Sequence, residues 1–319
     1  MADPDPSDLK ALPWKYQSSR SLNDVLVGED TGYPLINASS TGNITALSDM
    51  LEQYPEIALA SPHRIYAEDH PASDKDDMRG VLAMKRSNLG IAILQAAENG
   101  HAAAVTALLD FASRNDIKAS SVIDRKTVHK TITNGHVAVL EVLAAAAPKV
   151  ALHDDLHGNR PLDFAIKAGR VEIARVILQR CACRELSIPG YGSSYGVSRL
   201  CKAARSRKTT MIELLIQHGY VVKGSGALQM AAECGALDTI RLLVERHGAD
   251  VNERLPAETV QRVNNALFAS WTPLHFAARW GREEAIELLK SYGASEDILD
   301  CNGKTPSQLL DERKGKSKQ

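Results

Sequence analysis

An all-α solenoid of stacked helix-turn-helix units is predicted by three observations. One pattern of about ten residues recurs eight times along the 319-residue chain, the better-spaced copies lie roughly 33 residues apart, and small residues hold fixed places within each copy. The clearest copy is Thr272-Pro273-Leu274-His275-Phe276-Ala277-Ala278-Arg279-Trp280-Gly281. With Thr272 as the start of a helix pair, equivalent starts fall at Tyr33, Ile91, Lys126, Arg160, Ser198, Gly226, Thr272 and Thr305, in steps of 58, 35, 34, 38, 28, 46 and 33.

The elements follow in order. Residues 1–30 are an N-terminal extension, disordered or capping, and 31–310 is the repeat domain. Pro34-Leu35, Pro161-Leu162 and Pro273-Leu274 open inner helices, where proline loses no hydrogen bond. Ala96-Ala97, Ala203-Ala204, Ala231-Ala232 and Ala277-Ala278 let neighbouring helices approach. Gly42, Gly100, Gly135, Gly169, Gly235 and Gly281 end them, accepting the left-handed conformation of a helix C-terminus. Outer helices come next. In 171–178 and 237–244 the apolar residues recur at helical spacing and leave Glu172, Arg175, Asp238 and Arg241 for water. His218-Gly219, His247-Gly248 and Tyr292-Gly293 mark the closing turns.

Irregular steps locate insertions. About 25 extra residues, roughly 55–88, form a long loop with a short helix, and about 13 more fall within 253–270. Residues 188–196, with Tyr191 and Tyr195, form a glycine-rich mobile tip. Arg207 stands where the fifth repeat needs its glycine, and the exit 220–225 is too short for a full finger. Residues 311–319 are a polar tail that caps the last, truncated repeat.

By the T-P-L-H-x-A-A core, the glycines and the closing turns, the chain resembles the ankyrin-repeat family from about Gly32 to Leu310. The resemblance implies an all-α ankyrin solenoid with finger loops, and a histidine at position 275 that bonds within and between repeats. It implies no particular activity. It does imply where partners bind: fingers and inner-helix ends of such arrays form a concave surface.

Composition sets bounds. With 38 basic and 39 acidic residues the net charge is −1, which supports neither a nucleic-acid nor a membrane-surface partner. Five cysteines, Cys181, Cys183, Cys201, Cys234 and Cys301, are odd in number and fit a reducing compartment. No apolar run reaches the roughly 18 residues of a membrane span, and the first residues lack a signal-peptide pattern. The expected location is cytoplasmic, with Arg313, Lys314, Lys316 and Lys318 leaving a nuclear alternative.

Chemistry-bearing motifs are absent. There is no Gly-x-Ser-x-Gly elbow, His-Glu-x-x-His pair or dinucleotide fingerprint, and the glycines at 190–196 lack the Lys-Ser/Thr of a phosphate loop. His63, Asp69, His70 and Asp74 lack helical pairing around Pro71 and read as a solvated loop, so no metal and no cofactor is expected. No catalytic residue is nominated.

A binding surface is. Counting seven and eight positions from each start places Lys167, Arg205, Glu233, Arg279 and Trp280 on the concave side, and the finger positions add His157, Tyr195 and Trp271, beside Tyr191 of the tip. Tryptophan, tyrosine and arginine bury much area for little lost entropy and dominate binding hot spots. The expected function is a protein- or peptide-binding scaffold using repeats four to seven. The alternative is a small-molecule enzyme or ligand binder whose pocket is roofed by the inserted loops and lined by Tyr191, Tyr195, His157, Lys167, Arg205, Glu233 or Arg279.

Overall fold

Short polar side chains and prolines start the inner helices where the sequence places them. The computed structural model of the chain describes residues 33–60, 87–153, 160–180, 198–254 and 270–316. Among these, Asp124 accepts the Thr127 amide at 2.8 Å and Ser198 the Cys201 amide at 3.0 Å, while Pro161 and Pro273 occupy first helical turns. The described residues carry helices and turns and no strand.

The residues divide into two compact units, Met1–Ala151 and Leu152–Gln319. In the first, α1 (Tyr33–Thr41), α4 (Asn88–Glu98) and α7 (Arg125–Asn134) are inner helices, and α2 (Ile44–Gln53), α5 (Ala102–Arg114) and α8 (Val137–Ala146) are outer ones. Short helices α3 (Pro55–Leu59), α6 (Ala119–Val122) and α9 (Pro148–Leu152) follow the outer helices. Inner packs on inner, α1 on α4 and α4 on α7, and outer on outer, α2 on α5 and α5 on α8. Leu47, Leu89, Ile93, Leu108, Ile132, Leu140 and Leu143 fill the space between the rows. The second repeat begins earlier than its register start, Ile91, because Ser87 caps α4 and the buried Asn88 amide donates to the Ile57 carbonyl at 2.9 Å.

In the second unit α10 (Pro161–Ala168), α12 (Arg199–Arg205), α14 (Ala227–Cys234), α16 (Pro273–Trp280) and α18 (Pro306–Lys316) pack in succession. The outer helices are α11 (Val171–Arg180), α13 (Thr209–Gln217), α15 (Leu237–Arg241) and α17 (Glu283–Ser291). α15 runs on as a π-helical turn, Leu242–Arg246. Arithmetic explains it. Eleven positions after their repeat starts, Thr209 and Glu283 lie ten residues before Gly219 and Gly293, whereas Leu237 lies eleven before Gly248. One extra residue must be absorbed inside the helix, and a π-turn absorbs it without breaking the chain of hydrogen bonds.

Arg207 answers the missing glycine. Its φ is +56°, the left-handed conformation that Gly169 and Gly281 adopt at the equivalent place (+64° and +61°), and its amide donates to Ala204 as theirs do to Ile166 and Ala278. Stacking imposes the turn on a residue that pays about 1–2 kcal/mol for it.

The N-terminal extension, most of both long insertions, the tip with Tyr191 and Tyr195, and His157 lie outside the described residues.

Candidate functional site

The last carbonyls of an α-helix have no partner within it and carry partial negative charge. At four of the described inner-helix ends they are met by the residue that opens an outer helix of the following repeat, and at a fifth by Arg313 of α18. His101 Nε2 lies 3.0 Å from the Ser40 carbonyl and His136 Nε2 2.9 Å from that of Glu98. In the second unit the donors are cations: Lys208 Nζ to the Gly169 carbonyl at 2.9 Å, and Arg282 Nε to that of Glu233 at 2.9 Å. Arg313 reaches the Arg279 carbonyl at 3.4 Å.

Each side chain crosses the glycine below it. A Cβ on Gly100 would lie 2.6 Å from His136 Nδ1, and one on Gly281 2.6 Å from Arg313 Nε. The glycines are thus required twice, for φ and for this approach. The sixth repeat has Ala236 at the reaching position, too short to span. There the direction reverses, and Arg207 of the fifth repeat donates forward to the Cys234 carbonyl.

These contacts arrange the nominated residues. Lys167, Arg205 and Arg279 are exposed at the ends of α10, α12 and α16, whereas the rest of each helix is largely buried. Arg205 lies 3.8 Å from Glu233, which is mostly shielded. Burial pushes the Glu233 carboxyl above its ordinary value, against the pull of Arg205 and Arg282. Trp280 is half-buried, with the Arg279 guanidinium 5.9 Å from its ring centroid.

Trp271 is corrected from a surface position to the interior. It is 5% exposed, meets Phe276 edge-on at 5.2 Å, and donates its indole N–H to Asp300 at 3.3 Å. Its ring packs beneath the turn that Asp300 organises by accepting the amides of Asn302 and Lys304. Burial works against the Asp300 charge, but those amides and the indole outweigh it and hold the carboxyl below its usual range.

His275 is fully buried. Its Nδ1 accepts the Thr272 amide at 3.2 Å, so the proton sits on Nε2, 3.4 Å from the Lys304 carbonyl of the next repeat. Burial lowers its pKa, against the pull of the Lys304 carbonyl and Asp300. Those are structural bonds, within and between repeats. The Cys201 thiol, buried and beside Glu233, is pushed up to about 12, which leaves it unreactive.

Sequence reasoning missed one network. Asp163, where the seventh repeat has His275, is buried and pairs with Arg199 Nε at 2.9 Å and Lys202 Nζ at 2.7 Å, and Arg199 also donates to the Tyr220 hydroxyl at 3.2 Å. The signal available was a carboxylate replacing the histidine beside two cations one repeat later. Among the described residues, no group of three or more His, Cys, Asp or Glu could hold a metal ion, and no helix is long and apolar enough to cross a membrane.

Comparison with known proteins agrees with this architecture. Family models for ankyrin repeats match residues 93–187 and 182–254 (three copies) and 228–289 (many copies). Human protein phosphatase 1 regulatory subunit 27 is 35% identical over 88 residues, 28% of this chain and 49% of that protein. The ankyrin repeat protein nuc-2 of Neurospora crassa is 24% identical over 58% of this chain and 16% of its own length. The chain thus spans half or less of these relatives. The human ASB11 ankyrin repeat domain superposes with a TM-score of 0.53 at 22% identity, covering 68% of this chain and 90% of that one. The chain belongs to the ankyrin-repeat family.

Proposed function

We propose that this ankyrin-repeat chain is a non-catalytic scaffold that binds another protein or peptide along the concave groove of repeats four to seven, and that it works in the cytoplasm. One observation carries the reading. At the ends of inner helices whose other residues are largely buried, Lys167, Arg205 and Arg279 stand in solvent, and Arg279 lies over a half-buried tryptophan, Trp280. A ring held by a guanidinium offers a partner both apolar area and directed hydrogen bonds. The human protein similar to this chain is named a regulatory subunit of a phosphatase, a part of a larger assembly, which supports a protein as the partner. Fold alone does not give function.

The test compares capture of partners from native extract by the parent chain and by Trp280→Ala, Arg279→Ala, Arg205→Ala and Glu172→Ala. Glu172 is exposed on α11 and serves as control. Losing a central tryptophan or arginine should cost about 2 kcal/mol, roughly thirtyfold in affinity, with Glu172→Ala near zero. Equal losses for Trp280→Ala and Glu172→Ala would place the surface on the wrong face.

A further inference from the structure

The net charge of −1 conceals a strong local separation of charge. Positions seven to ten after each repeat start comprise sixteen residues in repeats four to seven. Seven are basic: Lys167 and Arg170, Arg205 with Arg207 and Lys208, and Arg279 with Arg282. One is acidic, Glu233. The same positions in the second and third repeats read Glu98-Asn99-Gly100-His101 and Thr133-Asn134-Gly135-His136, without lysine or arginine.

Contacts tie four of the basic residues across repeats four to seven within one unit, and Lys167, Arg170 and Arg279 stand at the same helix ends. Lys208 of the fifth repeat reaches Gly169 of the fourth, Arg205 and Arg207 reach Glu233 and Cys234 of the sixth, and Arg282 of the seventh returns to Glu233. Lys208, Arg207 and Arg282 use carbonyls as partners in these contacts, so they satisfy helix ends while keeping their charge. The single carboxylate is mostly shielded, and Arg205 remains 68% exposed.

From this strip we infer that the partner's binding segment is a short acidic peptide with one apolar side chain, the carboxylates meeting Lys167, Arg205 and Arg279 and the apolar group meeting Trp280. The inference rests on the protein-binding reading and adds its chemistry. Like charges repel cationic partners and complementary ones steer an anionic segment onto the strip. A long polyanion such as RNA fits less well, because the remainder of the chain carries net negative charge and a strand running past the strip would meet it. Among the described residues of these helix ends, Trp280 is one ring and not a row of stacking platforms.

The experiment uses the full chain and fluorescence anisotropy with three labelled probes: a peptide of about twelve residues made of Glu and Gly around one central Leu, its Lys counterpart, and an oligouridylate of equal length. The Glu peptide should bind, weakening at least tenfold between about 50 and about 300 mM NaCl, and the Lys peptide should not. The triple variant Lys167→Gln, Arg205→Gln, Arg279→Gln should lose at least tenfold in affinity. Should its melting temperature fall, Lys167→Gln alone, at an exposed helix end, should still weaken binding about threefold. Trp280→Ala should weaken the Leu-containing peptide and leave an all-Glu/Gly version unchanged.

No binding of the Glu peptide, unchanged affinity in the triple variant, or tighter binding of oligouridylate would each overturn the inference. A captured native partner that needs Trp280 but ignores the three cations would overturn it while the scaffold reading stood. A partner indifferent to Trp280 and the cations alike would end the scaffold reading itself.

Discussion

The two units solve the same problem with different chemistry. Both must satisfy the carbonyls at the ends of inner helices, but residues 33–151 use histidines, His101 and His136, and residues 160–316 use Lys208, Arg282, Arg207 and Arg313. Lysine and arginine complete the same contact and leave a line of positive charge. A residue chosen to join one repeat to the next therefore also sets the electrostatic character of the surface where a partner is proposed to bind, and at the described helix ends it is the second unit that acquires lysine and arginine.

The two units differ at their helix ends and not in their cores, and the largest expected effect tests that. Ile93 and Leu274 each stand two positions after a repeat start and are 0% and 1% exposed. Ile93→Ala and Leu274→Ala should each destabilise by about 2–5 kcal/mol in chemical denaturation. A cost below about 1 kcal/mol for either would mean that the two units are not packed alike.

A smaller effect concerns the place where the second unit departs from its own rule. Arg207 holds a left-handed turn and also donates to Cys234, so two substitutions separate the roles. Arg207→Ala loses the hydrogen bond and keeps the strain; Arg207→Gly loses the bond and relieves the strain. Relief of about 1–2 kcal/mol, less about 0.4–1 kcal/mol for the freer unfolded chain, should leave the glycine variant more stable than the alanine one by up to about 1.6 kcal/mol. Alanine equal to or better than glycine would show that stacking, not φ, sets the energy of that turn.

Smallest are the staples themselves. His136→Ala and Lys208→Ala should each cost about 0.5–1 kcal/mol in thermal unfolding, since each frees one carbonyl that water can partly serve. A null effect for Lys208 alongside a clear one for His136 would sharpen the contrast: the cations would then serve the surface rather than the stack.

Much of this was legible in the residues. Local signals lie within a few positions of one another, so Thr272-Pro273, Ala277-Ala278 and Gly281 mark a helix, its close-packed face and its end with no knowledge of what lies beside them. That is why the helix pair of the seventh repeat and the structural role of His275 could be read directly. Counting placed Arg205, Glu233, Arg279 and Trp280 at inner-helix ends, because equivalent positions in a repeat recur at the same point of the helix.

What lay beyond counting depended on neighbours from other repeats. Whether Trp271 faced water or lay beneath a turn was settled by Asp300, twenty-nine residues on. The pairing of Asp163 with Arg199 and Lys202, and the reversal at Ala236 that recruits Arg207, join residues 27 to 39 apart. The sequence by itself determined the repeat, its helices and its caps, because these are short-range preferences of the backbone. The tertiary structure alone decided which polar groups meet and which ring is buried, because each depends on the distance between side chains that only the stacking of repeats brings together.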